Sequence, residues 1–386
     1  MPVGPRRTLT LRVALVAGGL LLPLALVECA LRLVGPILPG NYETGRWAER
    51  HAVYGHFHIP DSAAWLREPE FVAHLRFNRF GLRGPDVPLE GTAGVPRVLM
   101  LGDSFIEAKQ VAEADTVAAR LQVMTGAEYL NSGTFDWGPV QQYLYLSHEG
   151  ARFRPDAIVQ FFYLGNDVAD NVPRSRGELR RLGFPAAGVD DDTGELELLP
   201  WTASPPTRAD RVSEVLGGTF ATYRAYETGI LDKVRYSQVN PYPMERHLLD
   251  LFRDREPASL ATAWRVVDAL LGAIQAEGER IGAPTLLVIV PTKWQVHADD
   301  WRAFLKHHDR GIDDGWDLDK PNRRLARLAE ARGMPVLDLQ PALRAAAAEG
   351  TRLYYAVDTH WTAEGHAVAA RELARYLSER RMLAVR

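Results

Sequence analysis

A chain of 386 residues has room for one large domain with insertions or for two small ones. Its 46% hydrophobic and 24% charged residues are those of a folded globular body, and a net charge of −4 argues against a nucleic-acid partner. The single cysteine, Cys29, excludes an intrachain disulfide, and its place beside an apolar run argues against thiol chemistry.

Arg6, Arg7 and Arg12 precede Val13 to Val27, a run without charge. Joined to Leu9–Leu11 before it and Ala30–Val34 after it, the run reaches the roughly 20 residues a membrane span needs. Arg12 and Arg32 then snorkel toward opposite headgroup layers. Basic residues at the N-terminal end place that end in the cytoplasm and the rest of the chain outside. Glu28 stands where a lipoprotein signal wants a small residue, and no small-x-small cleavage site follows. A cleaved secretory leader is the alternative to a retained anchor. The expectation is a single-pass cell-membrane protein: residues 1–35 as cytoplasmic tip and transmembrane anchor, and the body on the periplasmic side.

Residues 36–92 form a juxtamembrane region rich in aromatics, His, Pro and Gly with little periodicity, ending in the turn-rich stretch Asn78 to Pro85. From residue 93 to 386 short apolar runs alternate with helical patterns. The runs are Arg97–Leu101, Glu128–Leu130, Ala157–Leu164, Thr285–Val290 and Pro335–Leu339. The helical patterns are Asp115–Met124, Gln141–Arg152, Leu260–Ile281, Asn322–Arg332 and Ala363–Leu377. This alternation predicts an α/β fold, a parallel sheet between two helical layers, with chemistry at the carboxyl ends of the strands. The rhythm lapses between about 172 and 257, which reads as an insertion that either caps the active site or decorates the sheet edge.

Ser104 follows the first apolar run at Gly102-Asp103-Ser104 and precedes a helical stretch. A serine hydroxyl needs a base to become nucleophilic, and a carboxylate to hold that base in the right tautomer. Asp358-Thr359-His360-Trp361, just before the last helix, supplies both partners. An oxyanion needs N–H donors, and the candidates are the Ser104 backbone, the Gly133 backbone and the Asn166 amide, each just past a predicted strand. Asp103 and Asp167 read as structural carboxylates bracing their loops, and His366 as a packing histidine. Trp137, Trp361 and Pro291–Val296 are candidates to line a pocket. No metal-ligand spacing, phosphate loop or dinucleotide fingerprint is present, so no cofactor and no metal is expected.

Gly102-Asp103-Ser104, Asn131-x-Gly133, Gly165-Asn166-Asp167 and Asp358-x-His360 resemble, in order, the four blocks of the SGNH (GDSL-type) hydrolases. The resemblance runs from about Arg97 to Leu377 and implies a flavodoxin-like three-layer fold. It implies Ser104 and His360 as catalytic, Asp358 as orienting the histidine, and Gly133 and Asn166 as oxyanion donors. The Asn78–Pro85 stretch and the N-terminal span are similar to a membrane-anchored bacterial subgroup. Two departures stand out: Gly165 touches Asn166 directly, and one residue rather than two separates Asp358 from His360. Asp-Thr-His-Trp resembles the motif of SGNH-like O-acetyltransferases that modify exported polysaccharides. The leading expectation is an exported serine esterase or deacylase acting on a carbohydrate or lipid acyl ester. An O-acyltransferase using the same residues and a non-catalytic membrane-tethered binding protein are the alternatives.

Overall fold

A strand with helices above and below it has no face left for water, so nearly all of it must be apolar. Arg97–Leu101, Ala157–Tyr163 and Thr285–Val290 are buried at every residue, with Arg97, Gln160 and Thr285 as polar exceptions. The computed structural model describes residues 5–34, 42–43, 45–171, 184–199, 201, 207–226, 245–254, 256–308, 310–311 and 315–383.

In chain order, α1 (Pro5–Val34) is followed by β1 (Tyr42–Glu43), β2 (Ala48–His51), β3 (Gly55–His58), β4 (Ala63–Glu68) and β5 (Phe71–Arg76). Then come β6 (Arg97–Leu101), α2 (Ser104–Glu107), α3 (Val117–Thr125), β7 (Glu128–Asn131), α4 (Pro139–His148) and β8 (Ala157–Tyr163). β9 (Ala187–Val189) and β10 (Leu196–Leu198) precede α5 (Arg208–Thr219), α6 (Ala221–Tyr226), α7 (Glu245–Phe252) and α8 (Ala258–Ile281). The remainder holds β11 (Thr285–Val290), α9 (Lys293–Val296), α10 (Ala298–His307), α11 (Lys320–Ala331), β12 (Val336–Asp338), α12 (Gln340–Ala348) and α13 (Ala363–Glu379).

The chain divides into two compact units. The larger holds residues 47–63, 73–205 and 242–386. At its centre is a five-stranded sheet in the order β12-β11-β8-β6-β7, parallel at every pairing. Because successive side chains point to opposite faces, Val98 and Met100 pack on one side of β6 and Leu99 and Leu101 on the other. The first face is covered by α3, α12 and α13, and the second by α4 and α8, with α7, α10 and α11 extending that layer. Burying each such Val, Leu or Ile contributes roughly 1.5–3 kcal/mol, which fixes the strand register. The chain leaves β6 for β7 on one side and returns to β8 on the other. The crevice between the carboxyl ends of β6 and β8 is therefore a topological switch point, where such sheets bind ligands.

The three-layer α/β/α expectation holds, and each predicted strand lies within a residue or two of the observed one. The region 36–92 differs from its aperiodic reading: it carries five short strands, of which β2 and β3 pair antiparallel and β5 alternates buried and exposed side chains. Runs of two to six residues are too short for a period to stand out. The predicted insertion contains the β9–β10 hairpin and α5 to α7, while residues 172–183, 200, 202–206, 227–244 and 255 lie outside the described residues.

The smaller unit comprises residues 1–46, 64–72 and 206–241. In it β1 pairs antiparallel with β4, and α1 packs with the α5–α6 corner. Arg12–Leu33 of α1 is the only helix among the described residues long and apolar enough to cross a membrane. Its apolar side chains are exposed along the stretch except at Leu31, which is half-buried.

Candidate active site

β6 delivers Gly102-Asp103-Ser104 to the sheet edge. Asp103 caps α2, its carboxylate accepting the Phe105 N–H at 2.9 Å, so Ser104 opens the helix with its hydroxyl at the rim. The Ser104 Oγ stands 2.7 Å from His360 Nε2, although 256 positions separate the two residues. On the other ring nitrogen, His360 Nδ1 lies 2.8 Å from Asp358 Oδ1. The same oxygen accepts the His360 backbone N–H at 3.2 Å. With Nδ1–H donated to the carboxylate, Nε2 is free to accept the serine proton.

Burial works against the Asp358 charge, but the neighbouring His360 and then Lys109 outweigh it and hold the carboxyl below its ordinary range. Gln110 reaches Asp358 Oδ2 at 3.4 Å. The Phe105 ring lies 4.8 Å from the imidazole and closes its far side.

One residue between Asp358 and His360 suffices because Thr359 takes the left-handed conformation, φ +75°. That turn folds the histidine back over the aspartate. The loop carrying the pair is tied to the end of β11: Lys293 Nζ donates to Ala356 O at 2.8 Å, and the Tyr354 hydroxyl donates to Pro291 O at 2.6 Å. Pro291–Val296 thus supports the base from below, and Trp137 and Trp361 are fully buried core residues that line no pocket.

The three oxyanion candidates sit on neighbouring strands, Gly133 after β7, Ser104 after β6 and Asn166 after β8. Neither the Ser104 backbone N–H nor the Asn166 side-chain nitrogen donates to any group among the described residues. The Gly133 N–H is engaged, donating to Asn131 Oδ1 at 3.0 Å. What demands glycine at 133 is packing: a Cβ there would lie 2.6 Å from the Ile106 carbonyl carbon and 2.7 Å from Ile106 Cβ.

Behind Ser104 are groups that local motifs did not single out. His58, on β3, donates from Nδ1 to Gly81 O at 2.9 Å and meets Glu107 Oε1 through Nε2 at 2.8 Å, both side chains being fully buried. Glu107 is the last residue of α2. Arg83 donates from Nη1 to Glu107 O at 2.7 Å and from Nη2 to Val111 O at 2.8 Å. Its backbone N–H goes to Asn131 O, and the Asn131 amide in turn donates to Ile106 O at 2.7 Å. Burial draws the Arg83 guanidinium down to about 10, still charged at neutral pH.

The Asn78–Pro85 stretch makes this reach possible. Asn78 Oδ1 accepts the N–H groups of Phe80 and Leu82, and Gly81 turns at φ +72° where a Cβ would strike Phe57 and His58 O. His56 completes the brace by hydrogen-bonding Phe135 O at 2.7 Å in the loop after Gly133. The turn signals of Asn78–Pro85 are legible in sequence, but its destination beneath α2 is not.

Asp103 and Asp167 are both buried, and each leaves one carboxylate oxygen without a partner. Burial pushes Asp103 up to about 7, and burial together with Asp103 pushes Asp167 well above the carboxylate range. Asp167 also braces its loop by accepting the Tyr163 N–H at 2.8 Å. His366 is buried against Trp361, as a packing histidine would be. Among the described residues no group of three or more His, Cys, Asp or Glu side chains is arranged to hold a metal ion.

Residues 251–385 match the sequence family described as SGNH hydrolase-like domain, acetyltransferase AlgX, a range that contains Asp358 and His360 but not Ser104. No curated protein matches the chain. Among solved structures, the chain is similar to a lipase/acylhydrolase from Enterococcus faecalis at 12% identity and TM-score 0.36, covering 74% of this chain and 97% of that one. A catalytic mutant of an acetylxylan esterase from Geobacillus stearothermophilus matches at 14% identity and TM-score 0.38, over 74% and 95%. A GDSL-like lipase from Bacteroides thetaiotaomicron matches at 12% identity and TM-score 0.37, over 75% and 91%. Residues 251–385 are thus similar to an SGNH hydrolase-like domain of a family described as an acetyltransferase.

Proposed function

We propose that this protein is a membrane-anchored serine enzyme that carries an acyl group on Ser104 and works on the extracytoplasmic side. The observation that carries this reading is the continuous relay from Ser104 Oγ to His360 Nε2 at 2.7 Å and from His360 Nδ1 to Asp358 at 2.8 Å. His360 takes the hydroxyl proton as Ser104 Oγ attacks the carbonyl carbon of an acyl ester. The tetrahedral oxyanion is met by the Ser104 N–H and the Asn166 amide, with Gly133 contributing where its N–H turns away from Asn131. His360 Nε2 then returns the proton to the departing alkoxide, leaving alcohol and acyl-Ser104. In the second half, His360 deprotonates a water, whose oxygen attacks the acyl carbon, and Ser104 leaves with the proton. Asp358 stabilises the imidazolium in both halves.

A fluorophosphonate probe is expected to label the purified full-length chain, and Ser104→Ala to abolish labelling and ester hydrolysis. Equal labelling of the alanine variant would refute the assignment. The family matched by residues 251–385 favours a second reading, in which a sugar hydroxyl replaces water and acetyl is transferred to an exported glycan. An acetyl donor supplied with and without glycan acceptor separates the two. Transfer yields acetylated glycan, and hydrolysis yields free acetate whether or not acceptor is present.

The anchor follows from the apolar stretch Arg12–Leu33 and the arginines before it. By the positive-inside rule they leave the body of the chain outside.

A further inference from the structure

Within the smaller unit, α1 is joined to the α5–α6 corner by hydrogen bonds that converge on one carboxylate. Glu28 Oε1 accepts the Ala221 N–H at 2.9 Å, and Oε2 accepts the Thr222 N–H at 2.9 Å and the Thr222 hydroxyl at 3.0 Å. One turn further along α1, Arg32 pairs with Glu28 at 2.7 Å and donates to Thr219 O, the last carbonyl of α5, at 2.6 Å. A carboxylate in a membrane-crossing helix is costly unless it is fully hydrogen-bonded, and here the corner supplies the donors.

Leu33, the outer end of the apolar stretch, lies five positions beyond Glu28. At 1.5 Å per residue, Glu28 lies about 7–8 Å inside that end. Helices that lie along a bilayer surface sink to a similar depth, about 5–10 Å into the boundary between headgroups and acyl chains.

The sequence of α5 suits that depth. Val212, Val215 and Leu216 follow helical spacing on one face, and Phe220 continues it just past the helix end. Val212, Val215 and Phe220 are 57%, 66% and 44% exposed. Arg208 and Arg211 border this apolar face, where their charged ends extend to the headgroups.

We propose that α5 lies in the outer headgroup layer of the membrane that α1 crosses, held there by Glu28 and Arg32, with the lipid surface covering Val212, Val215 and Phe220. The inference rests on α1 being a retained span. Cleavage of α1 would also strip α6 of its capping carboxylate and α5 of the Arg32 that meets its last carbonyl.

The test uses the full chain in phosphatidylethanolamine–phosphatidylglycerol vesicles, with Cys29→Ser removing the native thiol. An environment-sensitive fluorophore is placed in turn at Val212→Cys, Val215→Cys and, as a water-exposed control, Asp192→Cys on the β9–β10 turn. The labels at 212 and 215 are expected to shift to shorter wavelength and to lose most of their emission when the vesicles carry headgroup-proximal spin-labelled lipid. The label at 192 is expected to do neither. Adding Glu28→Leu is expected to return 212 and 215 toward the behaviour of 192 while leaving fluorophosphonate labelling of Ser104 unchanged. Flotation with the vesicles reads the anchor separately. A chain that floats yet keeps 212 and 215 in water overturns the placement of α5 alone, and one that does not float overturns the anchor with it. Labels shielded from water but untouched by the spin-labelled lipid would mean a protein covers this face, and would also overturn the proposal.

Discussion

Ser104 and His360 share one hydrogen bond, yet the segments that bring them there are held in different ways. The nucleophile turn rests on fully buried groups gathered from afar: Arg83 beneath the end of α2, His58 against Glu107, and Asn131 on Ile106 O. The base turn is half-exposed and largely local, with Asp358 holding a histidine two residues away. On the proposed roles, a serine that must hold still as it attacks is built into the core, and a histidine that passes its proton between serine and leaving group needs only correct orientation. Damage to the first should therefore appear mainly as lost stability, and damage to the second mainly as lost turnover.

The sharpest break in that comparison is Arg83→Met. It strands two buried carbonyls, Glu107 O and Val111 O, and removes a positive charge that the Glu107 carboxylate favours. Breaking a buried charged network by removing one member costs about 3–5 kcal/mol. Thermal unfolding of the full chain should show that loss, with Arg83→Lys falling between the two because one ammonium serves the carbonyl pair poorly. An Arg83→Met chain as stable as the parent would mean that the brace under α2 is redundant.

The buried carboxylates offer a pH-dependent test of the same region. Asp103 titrates near 7 in the folded chain against 3.8 for an ordinary aspartate. The native state therefore holds more protons than the unfolded chain between about pH 4 and pH 7. The contribution of this group to stability is complete below that window, falls as pH rises through it, and stays low above. Asp103→Asn keeps an oxygen for the Phe105 N–H and removes the charge. It should gain about 1–2 kcal/mol over the parent above pH 7 and nothing below pH 4, as read from melting curves. His366 slopes the other way: burial holds it neutral down to about 3, so its contribution is lost as pH falls below 6.5. The difference between the two chains, rather than either curve alone, isolates Asp103. A constant difference across the range would contradict the assignment.

These contrasts also explain what could be read without a structure. The strands were legible because burial on both faces leaves near-continuous apolar runs such as Leu286–Val290. The local Asp358–His360 pair was legible because two such residues so close together just before the last helix sufficed to suggest a base and its carboxylate. Arg83, His58 and Glu107 were not, because an isolated arginine or glutamate looks like surface until its partners, 24 to 49 positions away, are known. Trp137 and Trp361 misled for the related reason that an aromatic near a site motif looks the same whether it faces a pocket or the core. Gly133 was singled out as an N–H donor, while the structure makes its lack of a side chain the pressing requirement.

The smallest expected effect on stability lies in the base turn, at Thr359. A β-branched residue at φ +75° is strained, by an amount on the order of 1–2 kcal/mol. Thr359→Gly removes that strain but gives the unfolded chain more freedom to lose, so stability should change by less than about 1 kcal/mol. Its effect on chemistry should be larger than its effect on folding. Glycine lets Asp358 and His360 drift apart, and small misplacements of reacting groups lower turnover steeply. Ester hydrolysis should fall by up to about tenfold with an unchanged melting temperature, while Thr359→Ala, which keeps a Cβ, should fall less. Parent-like turnover in Thr359→Gly would show that the carboxylate alone orients His360, and that the left-handed residue is a consequence of the short Asp-x-His spacing rather than a device for holding it.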